Sequence, residues 1–184
     1  MDNRTKETAG IAARSKTAQL VLTAMFAAII CVATLIIRIP SPLGGYSNLG
    51  DTVVLLAAFL LGPSLGAAAA GIGSMLADIA SGYAIYAIPT LLIKSLMAIV
   101  AALLFRALTK GKSSTSARVT AAVVAGLAAE TIMVAGYYFF ALLFLAYEGS
   151  AALTIPGNAI QGLVGITGAL ALLIALPRSF LGGE

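Results

Sequence analysis

The sequence predicts an all-α integral membrane protein of six transmembrane helices, with both termini cytoplasmic. Of its 184 residues 60% are hydrophobic and 10% charged, with a mean hydropathy of +1.04. A soluble domain of this size needs far more charge to cover its surface. The apolar runs are continuous and separated by short punctuation, whereas a membrane barrel shows alternating segments of about ten residues. The basic residues gather at segment ends, the distribution that the positive-inside rule produces. Residues 1–184 are expected to form a single multi-pass domain in a cell membrane.

Residues 1–16 are polar and mixed in charge, and read as a cytoplasmic tail. No cleavable signal is expected, because the first apolar run is too long and lacks a small-residue cleavage site. That run, 18–38, is the first span. Spans two and three, 51–63 and 66–82, are divided by Gly62-Pro63-Ser64-Leu65-Gly66, where proline disfavours a helical residue before it. Each alone is short for a bilayer that needs roughly 20 residues. Spans four to six cover 89–108, 119–146 and 157–176. Charge decides in favour of six. With six spans, Arg4, Lys6, Arg14, Lys16, Arg106, Lys110, Lys112, Arg118 and Arg178 share one side and leave Arg38 opposite. With five, the cluster from Arg106 to Arg118 moves outside, against the bias for short loops.

The formal charge of +4 does not indicate nucleic acid, since segment ends account for it. The chain has no histidine and one cysteine, Cys31, within an apolar span. No intrachain disulfide, metal set or usual general base is available, so no catalytic residue, metal or cofactor is expected. Gly111-Lys112-Ser113 resembles the end of a phosphate-binding loop. Arg106 stands where the upstream glycine must be and no strand precedes it, so the chain does not hydrolyse ATP. Energy for transport must come from elsewhere.

The buried polar residues converge on one side of the bilayer, the side of the loop Gly45-Tyr46-Ser47-Asn48-Leu49-Gly50-Asp51. At about 1.5 Å of rise per residue, Lys94 lies roughly 7 Å deep and Glu130 roughly 18 Å from the inner end of its span, just past the midplane. Asn158 and Gln161 open span six one turn apart, and Tyr137 follows Glu130 by two turns on one face. Ionisable residues at such depths line a cavity, pair with each other, or both. Lys94 reads as a ligand contact or a snorkelling cation, and Glu130 as a ligand contact or the partner of Lys94. Asp51 reads as a helix cap, and Asp78 as interfacial. Asn158 and Gln161 read as ligand contacts or interhelical glue. Tyr46, Tyr83 and Tyr86 suit an aromatic belt, while Tyr137 is deep enough to stack on a ligand. Ala24 and Ala28, beside Thr23 and Ala27, make a small-residue face that lets another helix approach.

Read in order, Asn48-Leu49-Gly50-Asp51, Leu61-Gly62-Pro63-Ser64-Leu65-Gly66, Gly71-Ile72-Gly73 with Asp78, and Thr90 to Lys94 resemble the substrate-binding S components of energy-coupling factor (ECF) vitamin transporters. The branch with riboflavin-, hydroxymethylpyrimidine- and pyridoxine-like members is the nearest in pattern. The resemblance implies a six-helix subunit that captures a vitamin or precursor from outside, without an ATPase site of its own. A transmembrane coupling (T) subunit and two ATPase subunits would deliver the ligand inward. It makes Gly45, Tyr46 and Asn48 lid residues, Lys94, Glu130, Tyr137, Asn158 and Gln161 ligand contacts, and Ala24 and Ala28 the docking face for the T subunit. Val32 follows where a third small residue would strengthen that face.

A lysine, a glutamate, two amides and a tyrosine suit a small polar aromatic or a short carboxylated molecule. Pyridoxine- or hydroxymethylpyrimidine-like compounds rank ahead of pantothenate, which would place its carboxylate on Lys94, and of riboflavin. Lys94→Ala and Asn158→Ala are expected to weaken binding with folding intact. The rival reading is an autonomous proton-coupled carrier using Glu130, although no inverted repeat of the kind such carriers show is visible. An intramembrane enzyme is a third, and lacks catalytic groups.

Overall fold

The computed structural model describes residues 15–40, 46–112, 114–145 and 148–176. Six α-helices dominate it: α1 Lys16–Ile36, α2 Gly50–Leu61, α3 Pro63–Ala80, α4 Ala87–Thr109, α5 Thr115–Phe144 and α6 Thr154–Ala175. Between α1 and α2 lies a short antiparallel hairpin, β1 Arg38–Pro40 and β2 Tyr46–Asn48, with Arg38 opposite Asn48 and Pro40 opposite Tyr46. The all-α, six-helix architecture expected from the apolar runs is the one observed. The hairpin was not anticipated. Gly45, Arg178 and most of the 1–16 tail lie outside the described residues.

Local chemistry sets the helix ends. Ser15 and Ser114 cap α1 and α5, their hydroxyls accepting from Ala18 N and Ala117 N at 3.2 Å each. The boundary between α2 and α3 is a single residue. Gly62 has φ +83° and its N–H bonds to Ala58 O, closing α2. Pro63 then opens α3 at its first turn, where a missing N–H costs nothing. The interruption expected over Gly62–Gly66 is therefore one residue long, because a left-handed glycine followed by proline ends one helix and starts the next.

With 12 residues, α2 is roughly 18 Å long and cannot cross a hydrocarbon core of about 30 Å. It is instead the buried centre of the bundle. Val54, Leu55, Ala57, Ala58, Phe59 and Leu61 are buried around its surface, and it packs on α1, α3, α4 and α6. Phe59 stacks on Phe105 of α4 with centroids 4.5 Å apart. The segments Lys16–Ile36, Ala84–Thr109, Thr115–Phe144 and Gly149–Ala175 are long and apolar enough to cross a membrane. Their outer faces carry exposed Leu20, Ile36, Leu92, Phe144, Leu163 and Ile174, while the interior is rich in alanine, including Ala69, Ala98, Ala101, Ala125 and Ala129. Lipid is as apolar as leucine, so helices in a bilayer gain little by hiding large side chains and associate through close-fitting small ones.

The chain alternates direction, so that β1, β2, the starts of α2, α4 and α6 and the ends of α1, α3 and α5 meet at one end of the bundle. Lys16, Arg106, Lys110, Lys112 and Arg118 stand at the other, and Arg38 is in the hairpin.

Close packing makes one glycine decisive. A methyl group at Gly73 of α3 would overlap Ala27 O of α1 and lie 3.0 Å from Ile30 Cβ. Backbone cannot rotate aside, so Gly73→Ala pushes α1 off α3 and is expected to cost about 1–3 kcal/mol. The check is the thermal midpoint of helix loss by circular dichroism in detergent. An unchanged midpoint would show that α1 is free to shift.

Candidate functional site

A cleft open to solvent, with an enclosed volume of roughly 60 Å³, lies beneath the hairpin. Tyr46, Ser47 and Asn48 of β2 line it from above, with Asp78 of α3, Tyr86 and Thr90 at the start of α4, Tyr137 and Ala141 of α5, and Thr154, Gly157, Asn158 and Gln161 of α6. The hairpin is fastened over it by side chains. Asn48 N donates to Gln161 Oε1 at 2.8 Å, Ser47 Oγ donates to Gly157 O at 3.2 Å, and Tyr46 OH donates to Asp78 Oδ1 at 2.8 Å. Asn48 Oδ1 accepts from Gly50 N at 2.8 Å and so turns the chain into α2. Gly50 is obligatory there, since a Cβ would overlap Thr34 Oγ1 and lie 2.8 Å from Asn48 Oδ1.

Beneath the cavity is a buried charge cluster. Lys94 Nζ forms an ion pair with Asp51 Oδ1, and Gln161 Nε2 donates to Asp51 Oδ2 at 2.6 Å. Lys94 is 3% exposed and Asp51 1%. Asp51 thus has both oxygens bonded, from α4 and from α6, as a membrane-buried charge requires. Lys94 Nζ also lies 5.7 Å from the ring centroid of Tyr137, whose hydroxyl bonds Thr90 Oγ1 at 2.9 Å. Glu130 is buried beside this cluster, and neither of its oxygens has a hydrogen-bond partner among the described residues. Two glycines of α6 make room for it. A Cβ at Gly162 would lie 3.1 Å from Glu130 Oε2, and one at Gly165 would lie 3.1 Å from Glu130 Oε1 and 2.8 Å from Asp51 Cβ.

The cavity brings together Tyr46, Asn48, Tyr137, Asn158 and Gln161 of the residues singled out from the sequence. Lys94 and Glu130 do not line it. Lys94 neither snorkels nor pairs with Glu130; its partner is Asp51. The reading of Asp51 as a helix cap is corrected by the same contact. The N-cap of α2 is Leu49, without a side-chain cap bond, and the Asp51 carboxylate points into the bundle. Depth was the available signal. At roughly 7 Å, Lys94 matches a carboxylate at the outer start of span two better than Glu130 beyond the midplane. Asp78 is likewise buried rather than interfacial, and Tyr46 and Tyr86 face the cavity rather than forming only a belt. Tyr46, Tyr83, Tyr86 and Phe140 form a chain of ring contacts at the mouth, 5.1 to 6.3 Å between centroids. Ala24 and Ala28 lie on the exposed face of α1, among exposed Leu20, Val21, Met25 and Val32. Ala27, next to them, faces inward onto Gly73.

Residues 14–178 match the profile of the family described as "ECF-type riboflavin transporter, S component". The chain belongs to this family. As a member of this family of transporter S components it is a multi-pass membrane protein. The fold of this S component is similar to that in "Structure and mechanism of the S component of a bacterial ECF transporter", with a TM-score of 0.64 and 24% identity over 88% of this chain and 95% of that one. It is also 47% identical over 66 residues, 35% of its length, to an "Uncharacterized protein in gap 3'region" of Pyrococcus woesei. That stretch spans 44% of the relative's length.

Pairing separates the two buried charges of this S component by what their loss does. Lys94→Met strands Asp51 in a dry interior and is expected to cost about 3–5 kcal/mol, replacing the expectation that a Lys94 substitution leaves folding intact. Glu130→Gln removes a carboxylate that no described residue bonds, and should leave the midpoint unchanged or raise it. Thermal unfolding followed by circular dichroism distinguishes the two. Equal losses in both would mean that Glu130 carries a structural bond.

Proposed function

We propose that this S component captures a small vitamin or vitamin precursor from the outside, holds it beneath the hairpin, and passes it inward with a T subunit and two ATPase subunits. The observation that carries this reading is the lidded cavity, polar and aromatic in lining, at the end of the bundle opposite Lys16, Arg106, Lys110, Lys112 and Arg118, where Arg38 is the one basic residue of the hairpin. The positive-inside rule places that end outside.

The lining suits a pyridoxine- or hydroxymethylpyrimidine-like ring, stacked on Tyr137 or Tyr86, with its hydroxymethyl groups on Asn158 and Gln161 and Tyr46 and Asn48 closing above. Pantothenate ranks behind because Lys94, the partner proposed for its carboxylate, is occupied by Asp51. Riboflavin, named in the family description, stays behind these smaller rings. In this reading Lys94 acts from below the ligand by holding Asp51, which in turn fixes Gln161, and Glu130 stands beside that pair without a bond to it. Ala24 and Ala28 form the docking face for the T subunit.

Calorimetric titration of the purified S component in detergent, without partners, against B vitamins and their precursors is the direct test. One compound is expected to bind at nanomolar to low micromolar concentration. Asn158→Ala should weaken it at least tenfold, about 1.4 kcal/mol. Silence across the panel with the protein folded would remove the vitamin assignment. Ala24→Leu should spare binding and abolish ATP-dependent uptake, and normal uptake would count against that docking face. Uptake that follows the proton gradient without ATPase partners would favour an autonomous carrier instead.

A further inference from the structure

Among the groups lining the cavity, one carboxyl is half satisfied. Asp78 is 6% exposed. Its Oδ1 accepts from Tyr46 OH, while Oδ2 is buried and closes no hydrogen bond among the described residues, with Thr90 the nearby hydroxyl that also acts on the carboxyl. The polar groups around it are better matched. Asp51 is bonded by Lys94 and Gln161, Gln161 by Asn48 as well, and Thr90 by Tyr137. Glu130 has free oxygens too, but it does not line the cavity.

We propose that Asp78 selects the polarity of the ligand: the cavity takes a molecule that presents an exocyclic amino or ammonium group to the Asp78 carboxyl, and rejects a carboxylate or carbonyl oxygen in that place. This rests on the reading of the cavity as the capture site. Three features favour a donor. Asp78 lies in the last turn of α3, Pro63–Ala80, where the negative end of the helix dipole favours cations and disfavours anions. The lining contains this carboxyl and no lysine or arginine; Lys94 beneath it is paired with Asp51 and Arg38 sits over the Tyr46 ring in the hairpin, so an anionic ligand beside Asp78 would meet like charge without a free cation in the wall. Tyr86 and Tyr137 add two aromatic rings to the wall, and ring faces attract cations. A nitrogen donor on Oδ2 would complete the unpaired acceptor with a charge-assisted bond, the stronger class of hydrogen bond.

The test is a matched series that differs at one substituent: pyridoxamine, pyridoxine and 4-pyridoxate, alongside 4-amino- and 4-oxo-5-hydroxymethyl-2-methylpyrimidine. Each is titrated calorimetrically into the full-length wild-type protein and into Asp78→Asn. In the wild type the amino compound of each set should bind at least about tenfold more tightly than its carboxylate or oxo counterpart. Asp78→Asn keeps an acceptor for Tyr46 and should bring the members of each set to similar affinity without lowering the thermal midpoint. A wild-type preference for the carboxylate, or an unchanged ranking in Asp78→Asn, overturns the assignment of Asp78 and leaves the capture reading standing. If Asp78→Asn does not fold, the wild-type ranking decides alone. No binding by any member to folded wild-type protein overturns the capture reading for these rings, and this inference with it.

Discussion

The ion pair of Lys94 with Asp51 is the constraint around which the rest of the site is arranged. A charge this deep in a bilayer protein is tolerated only when its bonding capacity is filled. Filling it draws α4 to the start of α2, and the Gln161 amide adds α6. The other end of that amide accepts from Asn48 of β2. One buried pair therefore joins three helices and, through a single glutamine, reaches the strand that covers the cavity. Its position at the start of α2 also explains how so short a helix keeps a defined depth, since α2 has no lipid-spanning length of its own to fix it.

Packing around this cluster depends on what is absent as much as on what is present. Gly162 and Gly165 leave α6 bare where Glu130 and Asp51 stand, Gly73 lets α1 meet α3 backbone to backbone, and Gly50 lets the hairpin turn against Thr34. In water such thin contacts would bury too little apolar surface to hold a bundle. In lipid, where large side chains gain little from contact with each other, they allow helices to approach closely enough for van der Waals attraction and polar bonds to act.

How much of this could be read from the chain follows from the range of each interaction. The helix count was legible, because an apolar run and its flanking charges are properties of adjacent residues. The one-residue break at Gly62 was half legible: Gly-Pro announced an ending, but the left-handed φ that makes the next helix start at once is a conformational fact. The hairpin was not legible. Its strands are three residues long, and Ser47 and Asn48 are fixed by Gly157 and Gln161, more than a hundred residues away. Asp51 and Asp78 were misread for a related reason. An acid at a helix end has a ready local explanation, whereas the partners that define it, Lys94 and Tyr46, arrive only with the fold. Tyr137 stood out because a polar residue deep in an apolar span has no local explanation, and Asn158 and Gln161 because two amides one turn apart share a face at the start of a span.

The hairpin is a latch with a strength of its own. It is held to the bundle by Asn48 to Gln161, Ser47 to Gly157 and Tyr46 to Asp78, each a hydrogen bond of net worth about 0.5–1.5 kcal/mol. Together these amount to a few kcal/mol, the gap at which a minor conformation holds roughly 0.1–10% of the population. Swinging the hairpin away breaks none of the bonds between Lys94, Asp51 and Gln161 Nε2, so the floor survives each opening. Rim and floor are thus fastened by separate bonds that meet only at Gln161, and the surface hairpin can vary without disturbing the ion pair beneath it.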